Sequence, residues 1–235
     1  MFWQEALSCF LGYLCYIVPV AVSLIVVHFI AHIPREVFRK LLHLAAFSST
    51  PVIMAVSRDW RVSVVVLVAF GVVAWPLLAL LESQRWYADL FVQRRTHEVR
   101  RSLLILFWGD ALLVALCWGV LGMPQVVVAS ILMWGFGDAA AALVGKRWGR
   151  HHTGLPLADP KKTWEGTGAM WATSSMVGSV AMAVLGMHPL AAFALAVPTA
   201  VVGAYVELIT RGGYDTITVP FANAAVLFVL LALLG

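Results

Sequence analysis

The sequence predicts an all-α protein, a polytopic transmembrane helical bundle of about eight spans with both termini on the non-cytoplasmic side. Three observations carry that expectation. Of the 235 residues, 62% are hydrophobic and 12% charged, about half the charge of an average soluble domain. The mean hydropathy of +0.90 implies more apolar side chain than one soluble core can hide, whereas lipid accepts it on every outward face. The apolar residues also gather into runs of about the length that crosses a bilayer.

The first run covers 6–31. Met1 to Ile30 lacks the basic start of a secretory signal, and its apolar stretch is longer than a signal core, so it reads as a retained first helix. The runs 41–57, 62–81, 102–121, 126–144, 169–186, 189–206 and 219–234 follow. Cys9, Cys15 and Cys117 all lie inside such runs. Cys9 and Cys15 are separated by roughly 9 Å of helix rise, too far to bridge, so no disulfide scaffold is expected. Ten tryptophans and five tyrosines suit belts at the two interfaces.

The connectors set the orientation. Loop 32–40 holds Arg35, Arg39 and Lys40; loop 82–101 holds Arg85, Arg94, Arg95, Arg100 and Arg101. Loop 145–168 holds Lys146, Arg147, Arg150, Lys161 and Lys162, and loop 207–218 holds Arg211. Alternating the loops between two sides puts 14 of the 16 basic residues on one face and leaves Arg58 and Arg61 for the other. The rich face is expected to be cytoplasmic. Residues 1–235 are read as one integral membrane domain whose working loops are 32–40, 82–101, 145–168 and 207–218. Segment 82–101, with its mixed charges, reads as an interfacial connector.

Two aspartates fall inside spans. Asp110 and Asp138 each lie about 9–12 Å in from the basic face, and a carboxylate at that depth faces a polar cavity or a partner. The structural alternative is a hydrogen bond or charge pair between helices. The densest polar stretch follows Asp138: Gly145-Lys146-Arg147-Trp148-Gly149-Arg150-His151, then Asp159-Pro160-Lys161-Lys162-Thr163-Trp164-Glu165-Gly166. Its glycines admit close backbone approach and its cations neutralise phosphate oxygens. Contact with anionic headgroups accounts for the cations, but not for the glycines, Asp159 and Glu165. Lys161-Lys162-Thr163 lacks the preceding Gly-x-x-x-x-Gly, which excludes a soluble P-loop ATPase.

Two further clusters belong to the same face. Arg39 and His43 at i,i+4, and Lys40 and His43 at i,i+3, share one side of a helix; a snorkelling membrane-edge helix reads the same way. Glu207 ends the seventh run, and Arg211-Gly212-Gly213-Tyr214-Asp215-Thr216-Ile217-Thr218 leads into the eighth. Carboxylates and cations thus converge on one mouth of a helical bundle, where a soluble phosphorylated compound and a lipid could meet. Mg²⁺ takes one or two protein carboxylates and completes its octahedron with water and phosphate, so Asp138 with Asp110, Glu207 or Asp215 suffices.

Gly137-Asp138, Gly145-Lys146-Arg147-Trp148-Gly149-Arg150 and Lys161-Lys162-Thr163-Trp164-Glu165-Gly166 resemble a block shared by two groups. These are the CTP-dependent kinases of isoprenoid alcohols, such as phytol and dolichol kinases, and the CDP-diacylglycerol synthases. Arg39-Lys40-Leu41-Leu42-His43 is similar to the Arg-Lys-x-x-His of the kinases. Glu207 with Asp215-Thr216-Ile217-Thr218-Val219-Pro220 resembles their Glu and Asp-Asn-x-Thr-Val-Pro ending, with Thr216 where Asn is usual. The His-Gly-Gly-x-x-Asp-Arg-x-Asp pattern of the synthases is absent.

The resemblance implies a membrane lipid kinase that moves the γ-phosphate of CTP, or of another nucleoside triphosphate, to a long isoprenoid alcohol. It implies catalytic roles for Asp138, Lys161, Lys162, Glu165 and Asp215, with Asp215 accepting the alcohol proton. Arg39, Lys40, His43, Lys146, Arg147 and Thr218 are the expected substrate contacts, and Mg²⁺ is expected on Asp138, with Asp110 and Glu207. One rival is a phosphatidate cytidylyltransferase acting on a lipid phosphate; another is a transporter or scaffold. Membrane lipids are the expected surroundings, no nucleic-acid partner is expected, and an oligomer is possible but not indicated.

Overall fold

In the computed structural model, which describes residues 2–84, 87 and 97–234, the described chain is helical. The helices are α1 (Phe2–Ala31), α2 (Arg35–Ser57), α3 (Trp60–Glu82), α4 (Glu98–Leu113), α5 (Pro124–Trp148), α6 (Trp164–Val184), α7 (Pro189–Ile209) and α8 (Asp215–Leu234). Helix α4 runs on through Val114–Val120 in wider, π-helical turns. Each apolar run read from the sequence lies within or largely within one of these helices.

Among the described residues, seven helices are long and apolar enough to cross a membrane, as expected of a multi-pass membrane protein; α6 is not among them. The sequence reading counted that segment as a span. Its 21 residues include Thr167, Gly168, Thr173, Ser174, Ser175, Gly178 and Ser179, which lower its hydropathy. Two of them serve packing: Ser174 Oγ donates to the Met133 carbonyl of α5 at 2.7 Å, and Gly178 sits against the Met133 side chain. Close approach of helices in lipid favours such residues over bulky apolar ones.

The chain packs as two compact units, Met1–Gly119 and Val120–Gly235. In the first, α1 lies on α2 and α3, and α3 on α4. The α2–α3 connection is a tight turn: Arg58 closes α2 in a left-handed conformation at φ 53°, and the Asp59 carboxylate caps α3 by accepting from the Arg61 amide at 2.8 Å. Tyr13 packs edge-on against Phe70, 5.0 Å between centroids, and its hydroxyl meets Ser49 Oγ at 3.0 Å. Phe38, Phe47, Leu67, Leu106 and Phe107 fill the rest of this core.

In the second unit, α5 packs on α6, α6 on α7, α7 on α8 and α8 back on α5. Pro124 and Pro189 occupy first-turn positions of α5 and α7, where the missing amide hydrogen has no intrahelical acceptor to lose. Thr163 caps α6 by accepting from the Gly166 amide at 3.2 Å. The turn from α7 to α8 passes through Gly212 and Gly213 at φ 74° and 83°, a left-handed path that side chains disfavour. This ring of four helices brings the C-terminal ends of α5 and α7 and the N-terminal ends of α6 and α8 into adjacent positions.

Candidate active site

At that end of the second unit, three carboxylates meet. Asp138 on α5, Glu207 on α7 and Asp215 at the start of α8 each offer an oxygen, and these oxygens lie within 4.8 Å of one another. Asp138 and Glu207 are 8% and 6% exposed, and Asp215 is half-buried. The grouping follows from three local rules. Asp138 lies on the inner face of α5 beside buried Gly137 and Ala139, Glu207 is buried in the last turn of α7, and Asp215 occupies the first turn of α8, where exposed amides favour a negative charge.

Lys162, just before α6, reaches this group. Its Nζ is 2.8 Å from Glu207 Oε1, and it also donates to the Glu207 carbonyl and to the Thr210 carbonyl at 3.4 Å. The segment between α5 and α6 is fastened to the same helix end. Arg211 Nη2 donates to the carbonyls of Pro156 at 3.0 Å and Ala158 at 2.9 Å, and the Asp159 amide donates to the Leu208 carbonyl at 3.3 Å. Lys161 is exposed; its own amide donates to Asp159 Oδ1 at 3.0 Å.

The glycines of this region serve the protein's own packing. A Cβ on Gly166 would lie 2.9 Å from the Ala141 carbonyl oxygen, and one on Gly149 would lie 2.7 Å from Thr163 Cγ2. They let the end of α5 and the start of α6 touch. Glu165, in the first turn of α6, accepts from His151 Nδ1 at 2.7 Å and from the His151 amide at 3.3 Å. Its own backbone amide, then the His151 side chain, hold its carboxyl down at about 2. Glu165 therefore ties the end of the loop to the helix.

The remaining expected contacts are distributed as follows. Lys146 and Arg147 are exposed in the last turn of α5, with Arg147 over the Trp148 ring at 5.3 Å. Thr218 Oγ1 meets Thr210 Oγ1 at 3.0 Å, joining the ends of α7 and α8. Arg39, Lys40, His43 and Asp110 belong to the first unit, where Lys40 is 8% exposed and Asp110 accepts from Thr50 Oγ1 at 2.6 Å. Of the connector 82–101, Arg85, Asp89, Arg94 and Arg95 lie outside the described residues. The sequence reading gave no role to Thr163 or Thr210, and none to Arg211 beyond its charge. Threonine three residues before Gly166 is a cap signal that could have been found; the carbonyl contacts of Arg211 leave no mark in sequence.

Residues 4–235 match the model of the cytidylyltransferase family. The chain belongs to the cytidylyltransferase family. Within that setting it is 29% identical over 200 residues to a phytol kinase of Synechocystis sp. (strain ATCC 27184 / PCC 6803 / Kazusa), covering 82% of this chain and 78% of the relative. No solved structure matches significantly. The family match takes in both units, so the carboxylate group and the cluster around Asp110 both fall inside the shared region.

Proposed function

We propose that this member of the cytidylyltransferase family is a membrane lipid kinase that transfers the γ-phosphate of CTP to the hydroxyl of a long-chain isoprenoid alcohol. The observation that carries the reading is the meeting of Asp138, Glu207 and Asp215 with Lys162 at one end of a four-helix ring. The similarity to a phytol kinase supports the choice of acceptor.

Three carboxylates at this spacing suit a hard divalent cation. Asp138, Glu207 and Asp215 would hold Mg²⁺, which when bound neutralises and orients the triphosphate. Asp110, also expected as a ligand from sequence, has Thr50 as its neighbour in the first unit and is left out of this ligand set. The cations Lys161, Lys146 and Arg147 stand within the same end of the unit and stabilise charge on the transferring phosphoryl oxygens. Asp215, half-buried where the other two carboxylates are buried, is the acceptor for the alcohol proton, needed late in a loose transition state. Arg39, Lys40 and His43 belong to the first unit and form a phosphate-binding cluster of that unit in this reading. We place the carboxylate end on the cytoplasmic side and both termini opposite, which requires α6 to cross as well.

The family description itself favours a second reading, attack of a lipid phosphate on the α-phosphate of CTP with release of pyrophosphate. Purified protein in detergent with Mg²⁺, isoprenoid alcohols, phosphatidic acid and CTP labelled at either the α or the γ position separates the two. Label from the γ position on an alcohol is the expected result. Label from the α position on phosphatidic acid establishes the second reading instead.

A further inference from the structure

Two adjacent lysines precede α6, and their surroundings differ. A lysine ammonium has three N–H donors and no acceptor. Lys162 has an acceptor for each: Glu207 Oε1, the Glu207 carbonyl and the Thr210 carbonyl. Two of these are carbonyls at the C-terminal end of α7, one in its last turn and one on the residue that caps it, where no amide partner within the helix is left. The third is the carboxylate of a residue in the acidic group. To contact a phosphate, Lys162 would have to release one of the three. Lys161 is exposed, and among the described residues its ammonium has neither hydrogen bond nor ion pair. Its backbone is set by the Asp159 carboxylate.

We infer that the two lysines divide the work: Lys162 is a positioning residue that fixes the Glu207 carboxylate within the acidic group, and Lys161 is the lysine that meets the nucleotide phosphates. Holding Oε1 on the ammonium fixes how the Glu207 carboxylate is turned within the acidic group. Partners of this kind, which orient a ligating carboxylate without touching the metal, govern metal affinity. This division rests on the lipid-kinase reading of the site.

The test uses Mn²⁺ as the probe, titrated by electron paramagnetic resonance into the purified full chain without nucleotide, alongside the KM for CTP at saturating Mg²⁺. Lys162→Met is expected to raise the Mn²⁺ dissociation constant about 10- to 100-fold. Lys162→Arg, which keeps charge and donors, is expected to stay within a few-fold of the parent, and it carries the test if the methionine variant fails to fold. Lys161→Met is expected to raise the KM for CTP about tenfold, the effect of losing one charge-assisted contact, with unchanged Mn²⁺ affinity. If Lys162→Met raises the KM for CTP and leaves Mn²⁺ affinity alone, Lys162 is the phosphate lysine and the inference falls. It also falls if Lys161→Met leaves the KM for CTP unchanged, or if Lys162→Arg loses Mn²⁺ as fully as a methionine would. A parent protein that binds no Mn²⁺ overturns the metal reading itself, and that result is distinct from any difference among variants.

Discussion

Thr50 on α2 donates a 2.6 Å hydrogen bond to the Asp110 carboxylate on α4, joining two helices at a point where both residues are almost wholly buried. A carboxylate placed there by the sequence alone invited a metal-binding role. Its neighbour in the first unit is a hydroxyl on a facing helix, which is what a bonded structural pair requires.

Removing the donor should therefore weaken the first unit. Thr50→Val keeps the shape and leaves a buried acceptor short of a partner, at a cost of about 1–3 kcal/mol. Asp110→Asn keeps an acceptor for Thr50 and should cost less. Thermal unfolding in detergent, followed by size-exclusion recovery, checks the order; a valine variant as stable as the parent would show that the bond contributes nothing.

Asp138→Asn should reduce transfer at saturating Mg²⁺ by at least about a hundredfold, because electrostatic stabilisation of the phosphoryl oxygens by a bound metal is worth several kcal/mol. Its unfolding temperature should stay near that of the parent, since the amide has the size of the carboxyl. Steady-state rates set against the melting curve decide the matter, and near-normal turnover rules out Asp138 as a ligand.

Two glycines of α6 make opposite forecasts. Gly166→Ala drives a methyl to 2.9 Å from the Ala141 carbonyl oxygen, so α5 and α6 must separate, costing about 1–3 kcal/mol. Around Gly168 nothing lies within 4 Å of the added carbon, and alanine there should be neutral or stabilising by up to about 1 kcal/mol. Equal stability of the two variants would contradict the close α5–α6 contact.

The Glu165 carboxyl should stay ionised through the whole working range. Its pKa is depressed to about 2 by its own amide and by His151, so any stabilisation it gives is complete above the ordinary glutamate range. That contribution is lost only as pH falls through about 2. A carboxyl-selective ¹³C titration should find the Glu165 resonance unmoved from pH 8 to 4, while exposed glutamates begin to shift. Titration with an ordinary midpoint would mean that the His151 contact does not persist in solution.

The helices were legible because each apolar run had to form its hydrogen bonds within itself. The least legible helix is α6. A hydropathy window sees Ser174 and Gly178 only as less apolar, and it takes the packed structure to show that they face Met133. At the site, Asp138 and Glu207 were legible as candidate ligands because buried acids at a membrane edge are costly without a function. Asp215, expected as a base and as one of the alternative partners of Asp138, has an oxygen within the same 4.8 Å group. That proximity depends on the turn at Gly212 and Gly213, which composition does not specify. The tie between Glu165 and His151, 14 residues apart, is likewise set by a loop path.

Arg211 holds the segment after α5 through the carbonyls of Pro156 and Ala158, and a carbonyl is the one acceptor that every amino acid supplies. The grip is therefore indifferent to which side chains lie at 155–158. Leu155 and Leu157 are 40% and 68% exposed and can be exchanged without loosening it. Relatives could diversify this stretch freely while keeping its path, provided an arginine remains at the end of α7. Sequence drift there would reveal nothing about chemistry, and a lone change at the arginine would matter more than several changes in the loop it holds.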